Sequence, residues 1–398
     1  MTVLLENVLV PKALLRHPGR FGGAEAQDCL TGDLVLAENG VRLRMATHPA
    51  PPTRMVLPRL TECHVHLDKC HTLHRMAGIG GDLRAAIDAQ ARDRDRWTAE
   101  DIRARASRGL AELIAAGCGA VRSHLDWTSG AQATTPPLAW SVLQELAQDN
   151  RATATLQLAA LTSVEDLADP ATADAIARIL AKGGGVLGVF VLGHPERQAG
   201  IANAFRAAAE HGLALDFHVD EGLEPGLDGL ELIADTASAQ RFEGPVLCGH
   251  ACALMNHAPD DVARIADKLV RAGISVAALP GANLYLQGRG NGTPDRRGVT
   301  RLRELRAAGV NVTVGTDNVR DAFCPLGRHD PRASLALAAL AAHLDPPYGD
   351  HLPLITTNAR SAMGLPPLHI DAADPSELLV FNAASTADLL TGTTAPTP

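Results

Sequence analysis

The sequence predicts an α/β fold, namely a (β/α)8 barrel with a small β-sandwich-like domain formed by the N- and C-terminal segments. Apolar strands alternate with helical patterns in eight successive units from Met55 onward. Histidine or aspartate side chains fall at the ends of several of these strands. Apolar residues make up 46% of the 398 residues and aromatic residues only 3%, so Ala, Leu and Val must build the core, which favours helices packed closely on a sheet.

The two ends of the chain are predicted to form the small β domain. Residues 1–55 contain predicted strands at 3–10 and 32–36, followed by a proline-rich link. Residues 56–366 are predicted to form the barrel. Residues 367–398 are expected to return to the small domain with a strand at 373–381, and the tail from Ser385 is expected to be frayed.

Within the barrel, the first strand is expected to run from Met55 to His66, and a helix is expected from about Leu83. Thr98 is a typical N-cap for the next helix, and Gly117 a typical stop. The remaining strands are predicted at 120–126, 153–161, 185–192, 213–218, 245–250, 274–278 and 310–316, with final helices at 333–343 and 352–363. Arg122, His124 and Asp126 share one face of the second strand.

Composition excludes several classes of function. The net charge of −9, without a basic stripe, argues against nucleic acid or an anionic membrane as partner and favours a small-molecule substrate. No segment resembles a membrane span or a signal peptide. Seven cysteines without a regular framework indicate reduced thiols and a cytoplasmic protein. The sequence leaves open whether the chain forms a homo-oligomer.

The segment Thr61–Lys69 contains the motif around which the barrel is organised. His64 and His66 are one residue apart, so both imidazoles point to the same face of a strand. Alone, such a pair occurs often by chance. A chance occurrence is less convincing here, because further ligand-type residues fall at the ends of strands five, six and eight, namely His218, His250 and Asp317. A barrel gathers its strand ends at one mouth. The sequence therefore predicts a metal site there.

These residues resemble the amidohydrolase superfamily. The resemblance rests on His64-x-His66, His218-Val-Asp-Glu221, His250 and Gly-Thr-Asp317-Asn318, and covers residues from about 3 to 382. Further matches are specific to its cytosine deaminase-like branch: Pro280, Asn283, Leu286-Gln-Gly-Arg289, Arg296-Arg-Gly-Val-Thr300 and Pro325-Leu-Gly327. The stretch Asp317-Asn-Val-Arg-Asp321 is also similar to N-alkyl-ammelide amidohydrolases of that branch.

The resemblance implies one divalent transition metal ion, Fe²⁺ or Zn²⁺, held by His64, His66, His218 and Asp317. Three imidazoles and one carboxylate suit such an ion better than Mg²⁺ or Ca²⁺. Binuclear relatives use a lysine on strand four, and residues 185–192 contain none. A bound metal lowers the pKa of its water towards about 7. Asp317 would take the proton from that water, Glu221 would carry a proton to the leaving ammonia, and His250 would orient the nucleophile.

The predicted substrate pocket departs from the branch. Ser163 stands where cytosine deaminases have a glutamine, Asn318 replaces a second acid, and Phe323 replaces a tryptophan. Gln287, with Arg289, either lines the mouth after strand seven or stabilises that loop. These differences leave the metal chemistry unchanged and predict a cytosine-like substrate, with a preference for a bulkier or 5-substituted analogue over cytosine itself.

Three functions are consistent with these residues. The first is hydrolytic deamination of cytosine or a related amino-substituted N-heterocycle. The second is release of an alkylamine from a triazine-like ring by an N-alkyl-ammelide-type amidohydrolase. The third is a binding protein with an inactive barrel, which the loss of a ligand or of Glu221 would indicate, and neither is lost.

Overall fold

The structure is a computed structural model that describes residues 3–37, 40–290 and 292–397. Met1, Thr2 and Pro398, which the predicted terminal segments include, lie outside the described residues. Two sheets organise the fold, one of six strands and one of eight.

The six-stranded sheet joins the two ends of the chain. It contains β1 Val3–Pro11, β2 Ala24–Ala26, β3 Cys29–Ala37, β4 Gly40–Arg44 and β5 Arg54–Pro58, together with the late strand β14 Leu378–Asn382. The order is β14-β5-β1-β3-β2, and β4 pairs with β3. β1 and β5 are parallel, whereas β14 and β5 are antiparallel. The N- and C-terminal segments thus form one small domain, as the sequence predicted, while the exact division at residues 55/56 and 366/367 stays a prediction.

The first barrel strand begins later than expected. The apolar run Met55–Leu57 belongs to β5 and pairs with β14 of the small sheet, not with the barrel. Pro58 ends β5, and the backbone N–H of Arg59 donates to the carbonyl oxygen of Glu377 at 2.8 Å. The residues of a continuous apolar run show no periodicity that would mark the change from one sheet to the other. The prediction therefore merged β5 and the first barrel strand into one strand.

The eight-stranded sheet is the predicted barrel. Its strands are β6 Leu60–Val65, β7 Cys118–Asp126, β8 Thr155–Ser163, β9 Val186–Val191, β10 Leu215–Val219, β11 Val246–His250, β12 Ser275–Ala278 and β13 Val312–Val314. Neighbouring strands are parallel and follow chain order. A parallel bridge between Val65 and Asp317 joins the last strand to the first. The (β/α)8 architecture is therefore confirmed.

Helices cover the barrel and extend its loops. They are α1 Pro18–Phe21, α2 Leu83–Arg94, α3 Ala99–Ala115, α4 Leu138–Asn150, α5 Pro170–Gly183, α6 Arg197–His211, α7 Gly229–Gln240, α8 Pro259–Arg271, α9 Pro280–Leu286, α10 Leu302–Ala307, α11 Pro331–Ala342, α12 Thr357–Ala362 and α13 Thr386–Thr391. The Thr98 side chain accepts from the N–H of Asp101 and caps α3, as predicted. Gly117, with φ of +106°, follows the end of that helix.

The C-terminal part differs from the expectations. The predicted helix at 352–363 is a 3₁₀ segment, Tyr348–Ile355, followed by the short α12, because Pro353 interrupts the helical hydrogen bonding. The strand predicted at 373–381 begins only at Leu378. The tail is not frayed: Ser385 caps α13, and Thr397 exchanges two backbone hydrogen bonds with Val380 at 2.8 and 2.9 Å. Buried Leu389 and Leu390 offset the cost of ordering this segment.

All seven cysteines are buried and unpaired in the structure. Within the described ranges, no helix combines the length and the apolar character needed to cross a membrane.

Candidate metal centre and catalytic pocket

Five predicted site residues lie together at the carboxyl end of the barrel. His64 is in β6 and His66 directly follows it, His218 is in β10, and His250 ends β11. Asp317 follows β13 by three residues. All five side chains are buried. Because the strands are parallel and adjacent, their ends meet at one mouth and bring together residues far apart in sequence.

The four predicted metal ligands are close to one another. Nε2 of His66 lies 3.2 Å from Nε2 of His218. Oδ1 of Asp317 lies 3.3 Å from Nε2 of His66 and 3.6 Å from Nε2 of His64. The three histidines form one group able to hold a metal ion, and His64, His250 and Asp317 form an overlapping one.

Several of these polar atoms have no hydrogen-bond partner among the described residues: both ring nitrogens of His64, both carboxylate oxygens of Asp317, and Nδ1 of His66 and of His218. Burial lowers the pKa of the three imidazoles well below the ordinary value, so they are neutral and can act as ligands. Buried polar atoms without partners are costly. This donor set therefore fits a divalent transition metal, which the nitrogen ligands favour over Mg²⁺ or Ca²⁺.

Glu221 and His250 form a pair beside the predicted metal ligands. Nδ1 of His250 lies 3.0 Å from Oδ1 of Asn283 and 3.5 Å from Oε1 of Glu221, while its Nε2 has no partner in the described structure. Burial lowers the pKa of His250 to about 4. Burial, followed by the charge of Asp317, raises the pKa of Glu221 well above its ordinary value. Glu221 can therefore hold a proton near neutral pH.

Left-handed backbone conformations occur at two of the site residues and at Asp220, which precedes Glu221. Asp220, His250 and Asp317 have φ angles of 52°, 69° and 58°, although none is glycine. Such conformations cost free energy and persist where surrounding contacts enforce them. The backbone conformation of Asp220 is held by hydrogen bonds of its carboxylate, which accepts from the N–H groups of Gly229 and Leu230 at 3.1 and 2.9 Å.

A cavity of about 300 Å³ opens onto the site. It is lined by His66, His218, Glu221, His250 and Asp317. Three of the four predicted substrate residues also line it, namely Ser163, Asn318 and Phe323. Gln287 does not appear among the described lining residues. Its Nε2 donates to the carbonyl oxygen of Glu221 at 3.2 Å, in line with the loop-stabilising alternative. Gln287 also lines a neighbouring cavity with Leu83, Ile87 and Phe190.

The structure adds residues at the base of the site that sequence reasoning did not assign. The His124 ring is 4.0 Å from the His64 ring between centroids, and its Nε2 lies 3.0 Å from Oδ1 of Asp216. Arg122 donates to Oδ2 of Asp216 at 2.8 Å, and both side chains are fully buried. The spacing of Arg122 and His124 on one strand face was visible in the sequence, but their partner Asp216 was not.

Other unassigned residues lie around the mouth. Nζ of Lys69 donates to Asp126 at 2.8 Å, and Arg94 pairs with the same carboxylate. Burial disfavours the charge on Asp126, but Lys69 and Arg94 outweigh it and lower its pKa to about 2. Gln90 of α2 lines the same cavity. No local sequence pattern identifies these residues as part of the site, because their position depends on how the loop after β6 folds over the mouth.

Comparison with known proteins agrees with this arrangement. A model described as "Amidohydrolase family" matches residues 78–391. The chain belongs to the amidohydrolase family. The prediction that the chain belongs to the amidohydrolase superfamily is confirmed, as is the prediction that it is a hydrolytic enzyme. The first two predicted ligands, His64 and His66, precede the matched span.

Individual relatives extend the comparison. The chain is 33% identical to a pterin deaminase of Rhizobium rhizogenes, over 97% of this chain and 90% of the relative. A 5-methylcytosine deaminase structure from Klebsiella pneumoniae superposes with a TM-score of 0.79 at 23% identity, covering 100% of this chain and 95% of that one. An N-isopropylammelide isopropylaminohydrolase structure from Burkholderia multivorans gives a TM-score of 0.70 at 21% identity, covering 98% and 96%. At these identities the two structures show that the fold is shared.

Proposed function

We propose that this amidohydrolase is a hydrolytic deaminase of a pterin-like heterocycle, with one divalent transition metal ion, Fe²⁺ or Zn²⁺, in its site. The observation that carries the substrate class is the 33% identity to a pterin deaminase over nearly the whole length of both chains. A cytosine-like ring, the class that the sequence favoured, shares the reacting amino group but is smaller.

The cavity is consistent with a two-ring substrate. Its volume of about 300 Å³ lies at the lower end of the range for small-molecule sites, about 300–1,000 Å³. Ser163 contributes little volume to the wall, and Phe190, Leu161 and Phe323 offer apolar surface to a flat ring. A pteridine can use this surface more fully than a single pyrimidine ring.

In this proposal the metal is held by His64, His66, His218 and Asp317. When bound, it would supply Lewis-acid activation of a water molecule at neutral pH. Asp317 accepts the proton that this water loses. His250 is neutral, and if its Nδ1 donates to Asn283 its Nε2 is left as the acceptor that orients the attacking water.

Glu221 moves the second proton. Its raised pKa lets the carboxyl group donate to a ring nitrogen as water adds to the carbon that bears the amino group. The carbon–nitrogen bond then breaks, ammonia leaves with the proton it needs, and a carbonyl group replaces the amino group. The overall change is the addition of one water and the loss of one ammonia.

The free cysteines support a cytoplasmic location, which we also propose. Arg320 of the N-alkyl-ammelide-like stretch pairs with Glu112 and is not among the described residues that line the cavity, so Arg320 gives no specific support to the alkylamine reaction.

The test is ammonia release from protein reconstituted separately with Fe²⁺ and Zn²⁺. Pterin, cytosine, 5-methylcytosine, isocytosine, creatinine and ammelide form the panel, with N-isopropylammelide assayed for the alkylamine. We expect kcat/KM for pterin to exceed that for cytosine by at least about 10-fold, the size of a modest difference in pocket fit. A clear preference for plain cytosine, or release of an alkylamine alone, would refute the proposal.

A further inference from the structure

Helix α2 forms one wall of the catalytic cavity. Leu83, Ile87, Gln90 and Arg94 all line the cavity, and their spacing of four, three and four residues places them on one helix face. On another face, Ala86 and Ala89 pack into a cluster with Leu286 of α9 and with Phe323 and Cys324 from the loop after β13. These contacts fix the helix against the barrel mouth.

Gln90 is the unusual member of this wall. Its side chain is only 2% exposed, yet neither Oε1 nor Nε2 has a hydrogen-bond partner in the described part of the chain. A buried amide group without partners costs about 1–3 kcal/mol for each polar atom. A group of this kind at a cavity wall is explained if a ligand supplies the missing donor and acceptor.

We propose that Gln90 is a specificity-determining residue that recognises a lactam edge, the adjacent ring N–H and carbonyl group, of the heterocycle bound in this cavity. The proposal rests on the proposed deaminase function and refines its substrate class. Oε1 of Gln90 accepts from the ring N–H, and Nε2 donates to the ring carbonyl oxygen. A 2-amino-4-oxo ring carries such an edge next to the carbon that loses its amino group, so this contact would orient that carbon towards Asp317 and Glu221.

Three other polar side chains in or near the cavity already make hydrogen bonds within the protein. Ser163 lines the cavity, but its Oγ accepts from the N–H of Glu165 at 3.2 Å. The amide nitrogen of Asn318 donates to Asp321 at 2.7 Å. Gln157, upstream on β8, accepts from Arg122 and donates to the carbonyl oxygen of Met363. Gln90 therefore provides a free donor and acceptor where Ser163 is too short to do so.

The nearby charges are also satisfied within the protein. Lys69 and Arg94 both contact the carboxylate of Asp126, so each cation is already held in an ion pair within the protein. A neutral lactam fits this wall better than an anionic group would, because the neutral pair of hydrogen bonds needs no counter-ion.

The experiment compares Gln90→Leu, Gln90→Glu and wild type by fluorescence titration with two ligands. Lumazine, the 2,4-dioxopteridine formed when pterin is deaminated, has the lactam edge, whereas 2-aminopteridine lacks it. Gln148→Leu, the same replacement at an exposed position of α4, is the matched control. Turnover of pterin by the wild-type enzyme is measured in parallel.

We expect Gln90→Leu to raise the Kd for lumazine by about 30- to 150-fold, the loss of two hydrogen bonds of about 1–1.5 kcal/mol each. The Kd for 2-aminopteridine should change by less than about 3-fold, within the range of a lost apolar contact. Gln90→Glu retains the acceptor and loses the donor, so it should not restore lumazine binding. The Tm of ligand-free Gln90→Leu should rise, because a leucine removes the unpartnered amide, a change that a purely structural role for Gln90 would not produce.

The outcomes separate this inference from the proposed function. If wild type deaminates pterin but both ligands weaken equally in Gln90→Leu, the lactam contact is refuted and the function stands. If wild type does not deaminate pterin but still binds lumazine through Gln90, the function is refuted and the contact stands. Absence of both turnover and lumazine binding overturns both. Should Gln90→Leu fail to fold, the near-isosteric Gln90→Glu decides the question by the same ligand comparison.

Discussion

The backbone N–H of Asp317 donates to the carbonyl oxygen of His64 at 2.8 Å, so the last strand of the barrel meets the first at two proposed metal ligands. Glu62 strengthens this junction. Its carboxylate accepts from the N–H of His64 at 2.9 Å and from the N–H of Thr316 at 3.1 Å. A side chain added at Gly315 would lie 2.9 Å from Oε1 of Glu62, so a glycine allows this close approach. Closure of the barrel and assembly of the proposed metal centre therefore depend on the same few contacts.

The first prediction is that Glu62→Ala destabilises the closed barrel. The variant leaves two buried N–H groups without acceptors, each costing about 1–3 kcal/mol. We expect a lower unfolding free energy in urea and weaker metal retention in dialysis. Glu62→Gln keeps one acceptor oxygen and should lose less. Burial raises the pKa of Glu62 to about 7. Near neutral pH much of the protein therefore already carries a neutral carboxyl group, which glutamine resembles, so the effect of Glu62→Gln should be the milder one there. Wild-type stability in Glu62→Ala would contradict the role of the junction.

The second prediction concerns metal content. Elemental analysis of the active protein should find one transition-metal ion per chain, because the four proposed ligands converge on one position. His218→Ala should lose most of the bound metal and activity, whereas His48→Ala, on the exposed surface, should retain both. Two tightly bound ions per chain, or full turnover by metal-free protein, would rule out the proposed centre.

The third prediction tests the proton donor. Glu221→Gln should keep its fold and metal but lower kcat by about 10²- to 10⁴-fold, the usual effect of removing a general acid–base group. The matched control is Glu224→Gln, three residues on and exposed. If the two variants have similar turnover, Glu221 is a structural residue.

The fourth prediction concerns the size of the pocket. Ser163→Gln adds volume to the cavity wall, so it should disfavour a two-ring substrate relative to cytosine. A difference of one methylene group in a pocket is worth about 1–3 kcal/mol, and we expect the kcat/KM ratio of pterin to cytosine to fall by about 10-fold or more. An unchanged ratio would mean that Ser163 does not contact the distal ring.

Local motifs account for the parts of the site that the sequence could predict. His64-x-His66 depends only on strand alternation, and His218, His250 and Asp317 depend on the rule that parallel strands end at one mouth. The apolar patterns also located the eight barrel strands to within a few residues, apart from the start of the first.

Residues that depend on tertiary packing escaped prediction. A helix from about Leu83 was expected, but its register against the mouth, which aims Gln90 into the cavity, is set by contacts of Ala86 and Ala89 with distant loops. The ion pair between Arg122 and Asp216 joins two strands 94 positions apart. The ordered tail was missed because Thr, Ala and Pro composition suggests fraying, while its two hydrogen bonds to Val380 are long-range.

The last prediction concerns a second histidine cluster, whose members are not among the described residues that line the catalytic cavity. Oε2 of Glu112 on α3 lies 2.9 Å from Nδ1 of His329 and 3.3 Å from Nε2 of His71. His71 also ties its loop to the strand-eight loop, because its backbone N–H donates to the carbonyl oxygen of Val319 at 3.0 Å. Neither ring nitrogen of His71 has a hydrogen-bond partner among the residues described.

Burial lowers the pKa of His71 to about 4, with Glu112 opposing the shift. Its ordinary value is about 6.5, so between pH 6.5 and 4 the unfolded chain binds a proton that the folded chain does not. The free energy of unfolding should therefore fall as the pH falls through this window. His71→Gln should remove the part of this pH dependence that one proton causes, up to about 1.4 kcal/mol per pH unit.

Glu112 stays ionised throughout, since the contact with His329 lowers its pKa to about 2. Urea unfolding at pH 7, 6 and 5 measures the slope, with His48→Gln as the exposed control. If His71→Gln keeps the wild-type slope, another buried group, such as His329, must cause the loss of stability in acid.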